Sequence, residues 1–358
     1  MAVGSLKRPN VLWAVSLFLL FFIWFLWGLK AHFGGTSGEW YSSIKNGVDH
    51  IKTHVSNSTE EVYSGPNDGS DDITNTGDRP LILYAYHETE NARRNLEFFI
   101  AHGLHHAADF IFVMNGKTDA TNLLPQLPNI KYIQRGNDCY DMGAFAEVLV
   151  KDDLYKKYSR FITMNASIRG PFLPYWATGC WSDMFLSKVT DEVKLVGITM
   201  NCRPLPHVQS MIWATDRIGI ETLLFPTESQ VKRLKETLPT FSPNEPVLPL
   251  QHAGINWCPH EYWAATSVEV HATPLIEAAG YKVDAMMAAF HQKAGYEESC
   301  ADPKFAQDPL YDGQYFGTTL HPFDTVYAKA NRGTNALILE RLTDWTDKGN
   351  YSSYEHCH

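Results

Sequence analysis

Five short polar clusters stand directly behind apolar runs: Tyr86-His87-Glu88, Asn115-Gly116, Arg135-Gly136-Asn137-Asp138, Asn165-Ala166-Ser167 and Asn201-Cys202-Arg203. Amide and carboxylate side chains hydrogen-bond sugar hydroxyls and base edges, and an arginine grips phosphate through two parallel N–H bonds. Such a set suits a polyol joined to a diphosphate. Asn and Asp also favour turns, so the same clusters read as ordinary loops.

Single positions carry paired readings in the same way. Asp141, in Tyr-Asp-Met-Gly, either touches ribose or sugar hydroxyls or caps a helix that starts near Gly143. Arg169, in Ile-Arg-Gly-Pro, pairs with phosphate or forms a structural ion pair. His207 and Gln209 contact a ligand, or His207 is a satisfied structural residue. Glu269 deprotonates a hydroxyl if burial raises its pKa, or it completes a capping box begun by Thr266 or Ser267. Trp176, Trp181, Trp213, Trp257 and Trp263 offer stacking platforms for sugars or fill the core.

Strand–helix alternation would position these groups. Leu81–Tyr86, Asp109–Asn115, Ile130–Arg135, Arg160–Asn165 and Lys194–Asn201 read as buried strands, with helices expected over Asn91–Leu104 and Gly143–Tyr158. Continuous apolar strands alternating with helices imply parallel β/α units covered on both faces, with the ligand beyond the strands' carboxyl ends.

The chain has 358 residues, 44% hydrophobic and 20% charged, which allows a packed core and excludes wholesale disorder. Its formal charge of −10 argues against nucleic acid as a partner. Six cysteines form no C-x-x-C pair, which removes a zinc ribbon and a thioredoxin motif. No dinucleotide fingerprint, P-loop, nucleophile elbow or H-E-x-x-H is present, and His105-His106 reads as a solvated helix end.

Residues 11–29 are uncharged and apolar, and as a helix they reach roughly 28 Å, the thickness of a bilayer core. Lys7 and Arg8 precede the span and Lys30 follows it, so the short amino end stays cytosolic and the rest is lumenal. The expected order is a tail (1–10), a signal anchor (11–29), a stem (30–79), a globular domain (80–345) and a carboxyl tail (346–358). A short span matches the thinner early secretory membranes, Golgi or ER. Sequons at Asn57, Asn165 and Asn350 and an even cysteine count fit export; three disulfides are allowed, in no deducible pairing.

The runs Arg135–Leu149, Arg160–Trp176, Lys194–Ile220, Val268–Val283 and Phe316–Arg332 resemble, in order, a glycosyltransferase-like family related to the rhamnan-synthesis F type of polysaccharide transferases. The resemblance covers roughly residues 80–335. It implies a GT-A-like fold, a mostly parallel sheet flanked by helices, acting on a nucleotide-sugar donor and a glycan or glycoconjugate acceptor. On that basis Tyr86, His87, Arg135, Asn137, Asp138, Asn165, Ser167, Arg169, His321, Lys329 and Arg332 are donor-side candidates. His207 and Gln209 are acceptor-side candidates, and Glu269, Asp141 and Asp324 the catalytic ones. His321 is placed near the diphosphate by resemblance alone. Many GT-A enzymes carry an Asp-x-Asp after a central strand to hold a cation; here that place reads Asn165-Ala166-Ser167. Either Arg169, Lys329 and Arg332 neutralise the diphosphate, or Asp138, Asp141 and His321 hold Mn2+ or Mg2+. The missing motif also leaves open a non-catalytic, glycan-binding scaffold in a Golgi complex.

Overall fold

A strand buried on both faces must be apolar at successive positions, and five stretches of this chain meet that demand. The computed structural model describes residues 79–239, 248–292, 296, 300, 307–333 and 335–358. The expected tail, anchor and stem lie outside these residues, apart from Arg79, which pairs with Asp109 at 2.9 Å. Among the described residues no helix is long and apolar enough to cross a membrane.

The first half alternates as expected: β1 (Leu81–His87), α1 (Glu90–His102), β2 (Asp109–Asn115), β3 (Ile130–Arg135), α2 (Tyr140–Val150) and β4 (Arg160–Asn165). Thr89 caps α1 by accepting the Ala92 N–H at 3.1 Å. The second half is more broken: β5 (Ile168–Arg169), α3 (Trp181–Leu186), β6 (Val193–Gly197), β7 (Met200–Asn201), β8 (His207–Val208), β9 (Ile212–Asp216), α4 (Arg217–Leu224) and α5 (Glu228–Thr237). It continues through α6 (Tyr262–Ala278), β10 (Lys282–Ala285), α7 (Pro322–Thr325), β11 (Ala328–Lys329) and α8 (Ala336–Lys348).

Seven strands form one sheet in the order β10-β6-β9-β4-β1-β2-β3. Pairings β1–β2, β1–β4, β2–β3 and β6–β10 are parallel, while β9 runs antiparallel to both β4 and β6. The molecule is thus a mixed α/β structure with a mostly parallel sheet flanked by helices, and β9 departs from the all-parallel expectation. Chain order runs outward from β1 through β2 to β3, then returns to place β4 on the other flank of β1. The gap between β1 and β4 is therefore the topological switch point, where open α/β sheets leave a crevice at the carboxyl ends.

Phe99 of α1 packs on Tyr84 of β1 and edge-on against Trp181, joining α1 and α3 over one face. Trp181 and Trp213 are fully buried, which removes both from the stacking candidates. His105 is also buried, between Phe110 and Trp181, and burial pushes its pKa down to about 3; it is a neutral core residue, not a solvated helix end. The expected carboxyl tail is packed: Ser353 donates to the His102 carbonyl and Cys357 is bonded to Cys180. Cys139–Cys258 and Cys202–Cys300 complete the three disulfides.

Candidate active site

A cavity of about 320 Å³ opens at the carboxyl end of β4. Its walls come from the first turn of α2, the β7–β8 hairpin, α6, β11 and the segments around Asp308 and Arg332. It gathers nine of the sequence candidates: Asp141, Asn165, Asn201, Arg203, His207, Gln209, Glu269, Lys329 and Arg332. These span nearly two hundred positions of chain, so their convergence is produced by the sheet.

Lys329 occupies the middle of the charge arrangement. Its Nζ donates to Ser167 Oγ at 2.5 Å. Ser167 donates its backbone N–H to Asn165 Oδ1 at 3.1 Å, and Asn165 Nδ2 donates to Asp141 Oδ2 at 2.7 Å. Cation and carboxylate are thus linked across the β4–β5 turn. Burial lowers the Lys329 pKa, opposed by the nearby Glu269, Asp141 and Asp308 carboxylates. Burial likewise raises the Asp141 pKa, opposed by Lys329 and by the Asn165 hydrogen bond. Each group is thus shifted toward neutrality, the desolvation pattern of groups that exchange protons or bind charge.

The remaining cavity groups are fixed by neighbours. Glu269 Oε1 accepts the Ser210 N–H at 2.7 Å. Because α6 begins at Tyr262, Glu269 lies two turns inside the helix, and the capping-box reading fails. Asp141 lies inside the first turn of α2, whose N-cap is Cys139, so its capping reading fails as well. Gln209 accepts from Thr199 Oγ1 at 2.8 Å and donates to Asp308 Oδ1 at 3.3 Å, and Arg332 pairs with the other Asp308 oxygen. His207 Nδ1 donates to the Leu205 carbonyl at 2.7 Å, which leaves Nε2 as an acceptor. Asp308 and Ser210 also line the cavity, and no motif or spacing pointed to them.

Arg169 is not among them. In the short ladder Lys329 stands opposite Ile168 and Ala328 opposite Arg169, so the two cations leave opposite faces. Arg169 enters the interior, 3% exposed, donating to Asn95 Oδ1 at 2.9 Å and Thr343 Oγ1 at 3.2 Å. Burial lowers its pKa to about 10. The structure corrects its expected role: it joins β5 to α1 and α8 and does not face the cavity.

Other candidates lie at the carboxyl ends of β1 to β3. Tyr86 donates to Glu88 at 2.9 Å, and Glu88 also accepts two bonds from Arg93 and one from Thr118. Arg135 donates to Asn115 Oδ1 at 2.7 Å and to Glu147 at 3.0 Å. Exposed His87 and Asn137 flank Gly116, which has φ +83°; a Cβ there would meet both. Asp138 is exposed and pairs with His260 at 2.9 Å.

His321 caps α7 by accepting the Phe323 N–H at 3.2 Å, and Asp324 accepts from the Ala288 N–H at 3.3 Å; neither lines the cavity. Among the described residues, the acidic, His and Cys triads close enough to share an ion each contain two cysteines already in a disulfide. Asp138, Asp141 and His321 do not form such a triad, so that ligand set does not fit a divalent cation.

No family model matches the chain, and no curated protein matches it significantly. Among solved structures, it is similar to the glycosyltransferase GlyE of Streptococcus pneumoniae TIGR4, with a TM-score of 0.38 and 11% identity over 77% of this chain and 66% of that one. The apo form of GlyE gives a TM-score of 0.39 and 10% identity over 76% and 64%. This chain thus spans just under two thirds of GlyE's length, and at these values neither its fold nor its activity follows from the likeness.

Proposed function

We propose that the protein is a glycosyltransferase moving a sugar from a nucleotide-sugar donor to a glycan or glycoconjugate. One observation carries this reading: Lys329 and Arg332 share a cavity with Asp141 and Glu269 at the carboxyl end of β4, beside the β1–β4 switch point. Sugar transfer needs that pairing. Negative charge grows on the departing diphosphate as the glycosidic bond breaks, and preorganised cations stabilise it. The acceptor hydroxyl meanwhile loses a proton to a carboxylate. Lys329 and Arg332 take the first role. Asp141 takes the second, because its desolvated carboxylate is a stronger base than an exposed one, and Glu269 orients the acceptor. His87, Gly116 and Asn137 supply an open shelf for the nucleoside.

Incubation of the purified protein with a panel of nucleotide sugars tests the reading; turnover or tight binding of one donor is expected. Binding of none would refute it and leave a glycan-binding scaffold.

The setting proposed is a Golgi or ER membrane, single-pass type II, with the globular domain lumenal. The apolar span 11–29, the Lys7 and Arg8 asymmetry and the pairing of all six cysteines support it. Protease protection of the globular domain in sealed microsomes is expected, and cytosolic digestion would reverse the orientation.

A further inference from the structure

Two chain segments meet at the mouth of the cavity. Cys139 and Cys258 are bonded with Cα atoms 4.2 Å apart, and Asp138 pairs with His260 beside them. Gly143 of α2 lets the loop approach: a Cβ there would lie 2.6 Å from the Trp257 carbonyl oxygen and 3.3 Å from Pro259. The first turns of α2 and α6 are thereby held at a fixed spacing.

Each turn presents aromatic rings to solvent. Tyr140 is 44% exposed, Tyr262 59% and Trp263 67%, and both tyrosines line the cavity. Tyr262 and Trp263 also pack edge to face, with centroids 5.3 Å apart, so their orientations are coupled. Tyr262 and Trp263 thus make a contiguous pair of exposed rings beside a polar cavity, a surface that a ligand can cover.

The chemistry around the rings selects the ligand. Asp138 and His260 at the lip pair with each other, and the cavity's cationic residues Arg203, Lys329 and Arg332 come from other chain segments than the rings. The two ring-bearing segments, residues 138–142 and 258–263, contain no lysine or arginine to grip a phosphate. They offer the electron-rich faces of aromatic rings, which attract the weakly positive C–H face of a sugar.

We propose that Tyr140, Tyr262 and Trp263 form the acceptor subsite, stacking on a neutral hexose of the glycan and holding its hydroxyl over the cavity. This rests on the glycosyltransferase reading and adds an acceptor class to it: a neutral oligosaccharide, bound in a preorganised lip.

Calorimetry on the full-length protein, kept in a non-glycosidic detergent, tests the proposal. The probes are gluco-, manno-, galacto- and rhamno-configured tetrasaccharides, titrated with and without UDP or GDP. Saturable binding of at least one is expected. Tyr262→Ala with Trp263→Ala should weaken it about tenfold and leave nucleotide affinity and the thermal midpoint unchanged. Trp263→Phe, which keeps a ring, should retain most of the affinity. Nucleotide binding without any tetrasaccharide binding overturns the lip and spares the transferase reading. Tetrasaccharide binding that the double variant does not weaken also overturns it. Tetrasaccharide binding at the lip with no nucleotide binding upholds the lip and removes the transferase; binding of neither removes both.

Discussion

Two charged regions sit at the carboxyl edge of the same sheet and differ in how their charges are settled. Behind β1 to β3, Glu88 accepts from Arg93, Thr118 and Tyr86, and these bonds, Arg93 first, hold its pKa down to about 2. Behind β4, Asp141 has one amide partner, and burial moves its pKa the other way. The cations show the same contrast: hydrogen bonds to Glu88 and Asp119 raise the Arg93 pKa, whereas burial lowers that of Lys329. A carboxylate surrounded by donors is fixed as an anion and serves the fold. A carboxylate short of donors and short of water keeps its capacity to take a proton. The difference supports the proposal that chemistry takes place at the β4 end.

The largest effect should come from Asp141→Asn, which keeps the shape and removes the base. Turnover should fall by about 10²–10⁴, the usual range for a positioned base, with donor affinity retained. In the unsubstituted protein the acid limb of turnover against pH should lie above the ordinary carboxylate range. The folded-state pKa of Asp141 is raised above its unfolded value, so its contribution to stability is present at low pH and lost as pH rises through the folded value. Asp141→Asn should therefore raise the thermal midpoint at neutral pH. A lower midpoint would break the contrast with Glu88.

Next in size, the two lysine and arginine neighbours of the β5–β11 ladder should separate. Lys329→Met should weaken nucleoside diphosphate binding by about 1.5–3 kcal/mol, the range for hydrogen bonds to charged groups. Arg169→Met should leave that affinity alone and lower unfolding free energy by about 1–3 kcal/mol, since Asn95 and Thr343 lose a buried partner. Titration calorimetry and denaturant unfolding on both variants read the two effects, and equal losses of affinity would return Arg169 to the ligand.

The smallest effect belongs to Glu88→Gln. The folded-state pKa of Glu88 is depressed, so its contribution is present above about 4.3, the unfolded value, and lost as pH falls toward about 2. Acid titration followed by circular dichroism should show the substitution flattening that region while turnover at neutral pH stays within about twofold, the scale of ±0.5 kcal/mol. A large loss of turnover would mean that the paired region also does chemistry.

The strands of the first half were legible in local residue patterns. Asp109–Asn115 and Arg160–Asn165 were readable to the residue because buried strands must be apolar at successive positions, a local property; the half-exposed edge strand Ile130–Arg135 was readable from its isoleucines and tyrosine. The polar groups behind the strands were legible too, and of these Asn165, Asn201 and Arg203 line the cavity. Which distant segments meet depends on packing in three dimensions. The antiparallel β9 was hidden, because strand direction depends on its neighbours and not on its own residues. Arg169 and Lys329 look alike as cations in a chain, yet opposite faces of a two-residue ladder send one into the core and the other into the site. Asp308 joins the cavity through Gln209 and Arg332, and Cys139 chooses Cys258 across 119 positions. These partners are selected by packing in space, and local periodicity carries no record of them.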